Sequence, residues 1–300
     1  MIPEILCLKD FLDAKPAERT YIVDGLLPRG GLSILSGQPK AGKSTLSRNM
    51  MRSIARGQTF LGRETDQVPI LYYALEEIPY HIAAEFRLLK CRDEEIYIRA
   101  GPMDKIAISR VLKDDIRELS IGIAIVDPLF DVLSVSDSNS YTMVNDAMKS
   151  ILGIARATDC HILAVHHTNK SDARGGNSIL GSQALAGATE CNMFLTLDGK
   201  GQRVLSSEQR SGTPFDRLIL HFDDITHDVT AGESKATLRA RQMQYDLLVA
   251  LGNEELSTRV WLSKCRGRQE DKIAVIHQMA DAGLVVKRTQ GRADLWKQVV

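Results

Sequence analysis

The chain has 300 residues, 44% hydrophobic and 25% charged, which suits one large soluble domain or a domain of about 200–250 residues with a small appendage. Lys and Arg (38) balance Asp and Glu (38), so bulk charge gives no reason to bind polyanions. No run reaches the roughly 18 consecutive apolar residues of a membrane-spanning helix, so no membrane partner is expected. The balance conceals an asymmetry: residues 237–300 carry 11 Lys/Arg against 7 Asp/Glu, a net +4 that leaves −4 on residues 1–236. A mildly basic C-terminus on an acidic body points weakly to nucleic acid. The cysteines Cys7, Cys91, Cys160, Cys191 and Cys265 are scattered and never spaced C-x-x-C. That pattern, with no basic n-region and apolar core at the N-terminus, predicts a reduced cytoplasmic protein without disulfides or structural zinc.

In chain order, an amphipathic run at 8–12 and a Gly/Pro-rich turn at 23–31 precede a buried strand at 32–35. A helix at 43–56, a strand at 70–75, a helix at 81–91, a short strand at 97–99 and a helix at 109–119 follow. Further strands are expected at 121–126 and 161–165, with a helix at 145–158 between them. Apolar runs of this length alternating with helical periodicity predict an α/β fold with a parallel sheet covered on both faces. Segments 191–197, 203–208 and 217–221, separated by Asp-Gly-Lys-Gly and Ser-Gly-Thr-Pro turns, read as an antiparallel extension. A polar stretch around 228–235 reads as a linker, which divides the chain into a core at 1–228, a linker at 229–236 and a C-terminal unit at 237–300. Helices at 237–251 and 273–282, then two apolar runs flanking a Thr-Gln-Gly-Arg turn, match a winged helix-turn-helix.

The segment Gly37, Gln38, Pro39, Lys40, Ala41, Gly42, Lys43, Ser44 fits G-x-x-x-x-G-K-[ST] and lies between a predicted strand and a predicted helix, with Thr45 next in line. Such a loop wraps phosphates with backbone N–H groups at a helix N-terminus. Lys43 then reaches the β- and γ-phosphates of ATP, and the Ser44 hydroxyl helps hold Mg²⁺. The apolar run 121–126 ends in Asp127, the carboxylate expected beside that metal. The strand at 70–75 delivers Glu76 and Glu77 to the sheet edge where ligands gather. Glu76, directly after the apolar run, is the expected base for the attacking water, and Glu77 is expected to face solvent. The strand at 161–165 runs into His166 and His167, one of which is expected to hydrogen-bond the γ-phosphate or that water. Consecutive strand residues point to opposite faces, so the pair does not suit one metal ion.

A P-loop, a Glu at the end of the next apolar strand, an Asp after the third and a His pair after the fourth resemble the RecA-type ATPase core. In particular they resemble the plasmid RepA-type hexameric replicative helicases and the broader RepA-like AAA ATPases, over residues 20–225. The resemblance implies a RecA-like P-loop core, Glu76 as catalytic base, His166 or His167 as sensor, and a mobile loop at 171–182 facing a central channel. It also implies a homo-oligomer, a hexameric ring being expected, in which a neighbour's arginine reaches the γ-phosphate. Arg210, after the strand at 203–208, is the first choice for that arginine and Arg203 the second. The charged, aromatic-free loop at 170–178 suits electrostatic contact with single-stranded DNA. Lys264, Arg266 and Arg268, with Lys287, Arg288 and Arg292, suit duplex contact by the C-terminal unit. The chain therefore reads as an ATP-hydrolysing motor on DNA, a helicase of replicative type. The competing reading is a nucleotide-switched DNA-binding, recombination or assembly ATPase that does not unwind.

Overall fold

The computed structural model describes residues 5–14, 19–103, 105–133, 140–168, 187–199, 201–252, 254–290 and 293–299. It divides into two compact units, residues 1–232 and 233–300.

The first unit begins with a six-residue helix, α1 (Leu8–Asp13), none of whose side chains is buried. A small antiparallel pair follows, β1 (Tyr21–Val23) with β2 (Leu27–Pro28), in the segment that reads from sequence as a turn. The chain then alternates: β3 (Leu32–Gly37), α2 (Lys43–Ala55), β4 (Ile70–Ala74), α3 (Pro79–Leu88), β5 (Ile96–Ala100), α4 (Lys105–Glu118), β6 (Ile123–Asp127), the short α5 (Leu129–Val132), α6 (Tyr141–Thr158) and β7 (His161–His167). β8 (Cys191–Leu197), β9 (Arg203–Gln209), β10 (Leu218–Phe222) and β11 (Val229–Ser234) complete it. Among the described residues these strands form one nine-stranded sheet in the order β11-β10-β9-β8-β3-β7-β6-β4-β5. Pairings from β8 across to β5 are parallel, whereas β9 pairs antiparallel with both β8 and β10, as the sequence predicts.

Strand alternation splits the core between the two faces of this sheet. Leu35, Tyr72, Ile125 and Val165 pack with Leu46, Met50 and Ile54 of α2 and with Ile82 and Phe86 of α3. Ile34, Tyr73, Val126 and Ala164 pack on the other face with Ile108 and Leu112 of α4 and Val144, Met148 and Ile151 of α6. Both faces are buried, which is why the strands read as unbroken apolar runs. Leu46, Met50 and Ile54 recur every four residues, so α2 presents one apolar stripe to the sheet, each side chain contributing about 1.5–3 kcal/mol.

The expected linker at 229–236 is a correction. Val229–Ser234 is the outermost strand of the sheet, and Lys235 already opens the next helix. An edge strand is held by backbone pairing on one side only, so its polar sequence gives little sign of it. The Asn49 side chain fixes its start by accepting from the Val229 amide at 3.0 Å and donating to the His227 carbonyl at 2.9 Å.

The second unit comprises α7 (Lys235–Leu251), β12 (Leu256–Ser257), α8 (Thr258–Lys264), α9 (Gln269–Asp281), β13 (Val285–Gln290) and β14 (Ala293–Gln298), its strands ordered β12-β14-β13. Trp261 and Trp296 meet at 6.0 Å in its core, beside Leu247, Leu251, Ile276 and Met279. Each indole N–H is satisfied, Trp261 by the Leu247 carbonyl and Trp296 by the Thr258 hydroxyl. Ser257 caps α8, and the buried Lys272 ammonium donates to the Leu262 and Cys265 carbonyls, which fixes α9 against the end of α8.

Candidate nucleotide site

The loop between β3 and α2 is built by its glycines. A Cβ on Gly37 would lie 2.5 Å from the Leu195 carbonyl oxygen, and one on Gly42 would lie 2.6 Å from Phe222 Cε1. Gly42 also takes φ +101°, a left-handed turn that lets α2 begin at Lys43 with its first amides free. Lys43, almost wholly buried, donates from Nζ to the Gly37 and Gln38 carbonyls at 2.9 and 3.0 Å and contacts His167 Nδ1 at 3.0 Å. Burial holds its ammonium below the ordinary lysine range, with the charges of Asp127 and Glu76 opposing that shift.

Three parallel strands deliver the other groups to the same edge. Asp127, at the end of β6, accepts from Ser44 Oγ at 2.8 Å. Burial pushes its carboxyl up, against the Ser44 hydrogen bond. A buried carboxylate accepting from a serine hydroxyl, near the Lys43 ammonium, is a hard-oxygen donor set that fits Mg²⁺. Ser44 and Asp127 are the residues that would hold the metal. No cluster of three or more His, Cys, Asp or Glu able to bind a metal occurs among the described residues.

The two histidines separate as strand alternation requires. His166 is buried, stacks edge-on against Phe130 at 5.3 Å, and is pushed down to about 4 chiefly by burial. His167 emerges on the P-loop side, its Nδ1 on Lys43 and its Nε2 3.9 Å from Glu76 Oε2. Because an ammonium only donates, Nδ1 is the acceptor and Nε2 carries the proton. Burial and the Lys43 charge hold His167 below the ordinary histidine range, so the ring is neutral at pH 7.

Glu76 is exposed and open to the site, whereas Glu77 does not face solvent as expected: it is ion-paired with the buried Arg48 of α2 and accepts from Tyr72 Oη at 3.4 Å. Arg203 also differs from expectation. Its Nε donates to the Ala41 carbonyl at 3.0 Å and its guanidinium lies 4.3 Å from the Phe222 ring centre. It therefore sits on its own P-loop. Arg210 lies at the opposite end of β9, where its amide donates to the Glu190 carbonyl at 3.0 Å and its side chain to the Gly187 carbonyl. The register Cys191↔Gln209 and Leu197↔Arg203 places it at the sheet edge away from its own P-loop. Lys40, Thr45, Arg203, Phe222, Asp223, Asp224 and His227, which the sequence reading passed over apart from Lys40, Thr45 and Arg203, line a pocket of about 360 Å³ with Gly42, Lys43, Ser44 and His167. The expected channel loop at 171–182, the DNA-contacting loop at 170–178 and Arg292 lie outside the described residues.

A family model described as "AAA domain" matches residues 3–173, more than half of the chain and the whole stretch carrying Lys43, Glu76, Asp127 and His167. The chain belongs to the AAA domain family. This AAA-domain chain is 23% identical over 167 residues to the DNA repair protein RadA of Helicobacter pylori, covering 55% of this chain but only 34% of that protein. It thus spans about a third of the length of this curated relative. A KaiC-like protein from the hyperthermophilic archaeon Pyrococcus horikoshii superimposes with a TM-score of 0.56 at 13% identity, over 73% of this chain and 100% of that one. That likeness shows the fold alone: an α/β core whose large, mostly parallel sheet matches a RecA-like P-loop core.

Proposed function

We propose that this chain is a Mg²⁺-dependent cytoplasmic ATPase that assembles into a homo-oligomeric ring, a hexamer by resemblance, and couples hydrolysis to movement on single-stranded DNA as a RepA-like helicase. The observation that carries the reading is the convergence of Lys43, Ser44, Asp127, Glu76 and His167 on one sheet edge. The P-loop amides and Lys43 bind the phosphates, and Ser44 and Asp127 would hold Mg²⁺, which would supply positive charge to the phosphate oxygens. Glu76 accepts the proton of the attacking water, and the His167 Nε2–H donates to the γ-phosphate, tying its presence to the base beside it. Arg210, on the far edge, is the cation offered to the next subunit. DNA as partner is supported by the relative's name, a DNA repair protein, and by the C-terminal unit.

The second reading, a nucleotide-switched duplex-binding or assembly ATPase without unwinding, is favoured by that same unit. Its helix–strand–helix–helix–hairpin order supports the winged helix-turn-helix reading, and Arg266, Arg268 and Arg288 are exposed on it. Three observations limit its charge: Lys264 pairs with Glu254, Lys287 pairs with Asp294, and the first turn of α9 holds Glu270 and Asp271. ATPase rates with and without single-stranded DNA, alongside strand displacement, separate the readings. DNA-stimulated turnover with displacement supports the motor; nucleotide-dependent duplex binding without displacement supports the switch.

A further inference from the structure

Glu76 lies in the bend at 75–77 that follows β4, its carboxylate 3.9 Å from His167 Nε2, and its neighbour Glu77 is held firmly. Arg48 lies one helical turn after Ser44 on α2, so the helix that begins at the P-loop carries both. Its side chain is only 4% exposed, and it chelates the Glu77 carboxylate through Nη2, with Nη1 3.7 Å from Glu85 Oε2. Glu85 on α3 in turn contacts His227 Nδ1 at 2.8 Å, and the His227 carbonyl is gripped by Asn49. The buried guanidinium thus ties the P-loop helix to the loop after β4, to α3 and to the turn before β11.

We propose that Arg48 is a positioning residue for hydrolysis: by clamping Glu77 it fixes the 76–77 backbone, so that the Glu76 carboxylate is presented to His167 and the γ-phosphate. The inference rests on the reading of Glu76 as the base. Leu75, Glu76 and Glu77 form a bend just beyond β4, so pinning Glu77 to α2 restrains the backbone from which the adjacent Glu76 carboxylate comes within 3.9 Å of His167 Nε2. A buried ion pair is an expensive way to stabilise a fold, because desolvation opposes the gain from pairing. Its place beside the catalytic edge gives it a use that packing alone does not. Arg48 is not among the residues that line the pocket at the P-loop, and its effect passes through Glu77.

The test is single-turnover ATP hydrolysis and equilibrium binding of a fluorescent ATP analogue, on the full chain. Arg48→Met and Glu77→Gln are expected to slow hydrolysis about 100-fold, the loss a misplacement of roughly 1 Å produces, while nucleotide affinity stays within about threefold. Arg48→Lys, which keeps the charge, recovers part of the rate. Because Arg48→Met leaves a carboxylate unpaired, the double variant Arg48→Met/Glu77→Met is measured with it. It should regain the wild-type melting temperature and remain slow. Recovery of activity together with stability in the double variant would show that the clamp only holds the fold, and overturn the proposal. So would wild-type hydrolysis by Arg48→Met, or loss of binding in parallel with rate. Glu76→Gln in the same assay keeps the two claims apart: if it hydrolyses ATP normally, the base assignment fails, whereas a block there with a fast Arg48→Met refutes the clamp alone.

Discussion

Lys43 donates to two P-loop carbonyls and to His167, so its ammonium is held where the phosphates must lie. Lys43→Ala should abolish measurable hydrolysis and most nucleotide binding, read by equilibrium titration; wild-type turnover in that variant would mean the site lies elsewhere. A second prediction concerns acid. His161, fully buried with Nδ1 on the Pro28 carbonyl, and His166 are both pushed down to about 4 from 6.5. Between these values the unfolded chain takes up protons that the folded chain refuses. The stability contributed by the two neutral rings is therefore complete above pH 6.5 and falls as pH drops towards 4, by on the order of 3 kcal/mol for each. Melting temperatures across that window should decline steeply, and His161→Asn should flatten the decline; an unchanged slope would count against the assignment. At this scale the P-loop was fully legible, because its glycines answer a local backbone demand. Glu77 was not, since its partner Arg48 lies 29 residues earlier on another element and only the tertiary fold joins them. His166 and His167 could be assigned to opposite faces from sequence, but which face holds the phosphates depends on where β3 pairs with β7.

Among the elements, β11 yields the sharpest contrast. A chain truncated after residue 236 keeps Val229–Ser234 in the sheet, whereas one truncated after residue 228 loses that strand and the amide that Asn49 of α2 accepts from. The first should retain basal ATPase while weakening DNA binding in a salt-dependent manner; the second should melt several degrees lower and lose ATPase in parallel. Equal behaviour of the two truncations would contradict the strand's role, and unchanged DNA affinity in the first would assign the C-terminal unit to protein contacts. The parallel strands were readable because burial on both faces leaves runs such as Ile123 to Val126. The polar edge strand and the two-residue strands were not, because backbone pairing, not side-chain pattern, defines them.

For the whole molecule, the separation of Arg203 from Arg210 along β9 decides which cation a ring would share. Arg203 is engaged on its own P-loop, while Arg210 lies at the far edge of the same sheet. Arg210→Ala should bind ATP normally and hydrolyse it slowly, and mixing it with Lys43→Ala protein should restore part of the activity, since some interfaces then combine an intact P-loop with an intact arginine. No recovery at any ratio, in a protein that sediments as a monomer with ATP and DNA, would refute both the shared arginine and the ring. The central claim is that Glu76, beside His167 at the P-loop edge, takes the proton of the attacking water. It is tested most directly by identifying the nucleotide that remains on Glu76→Gln protein after incubation with Mg²⁺ and ATP: intact ATP is the predicted result, and ADP formed at the wild-type rate would contradict it.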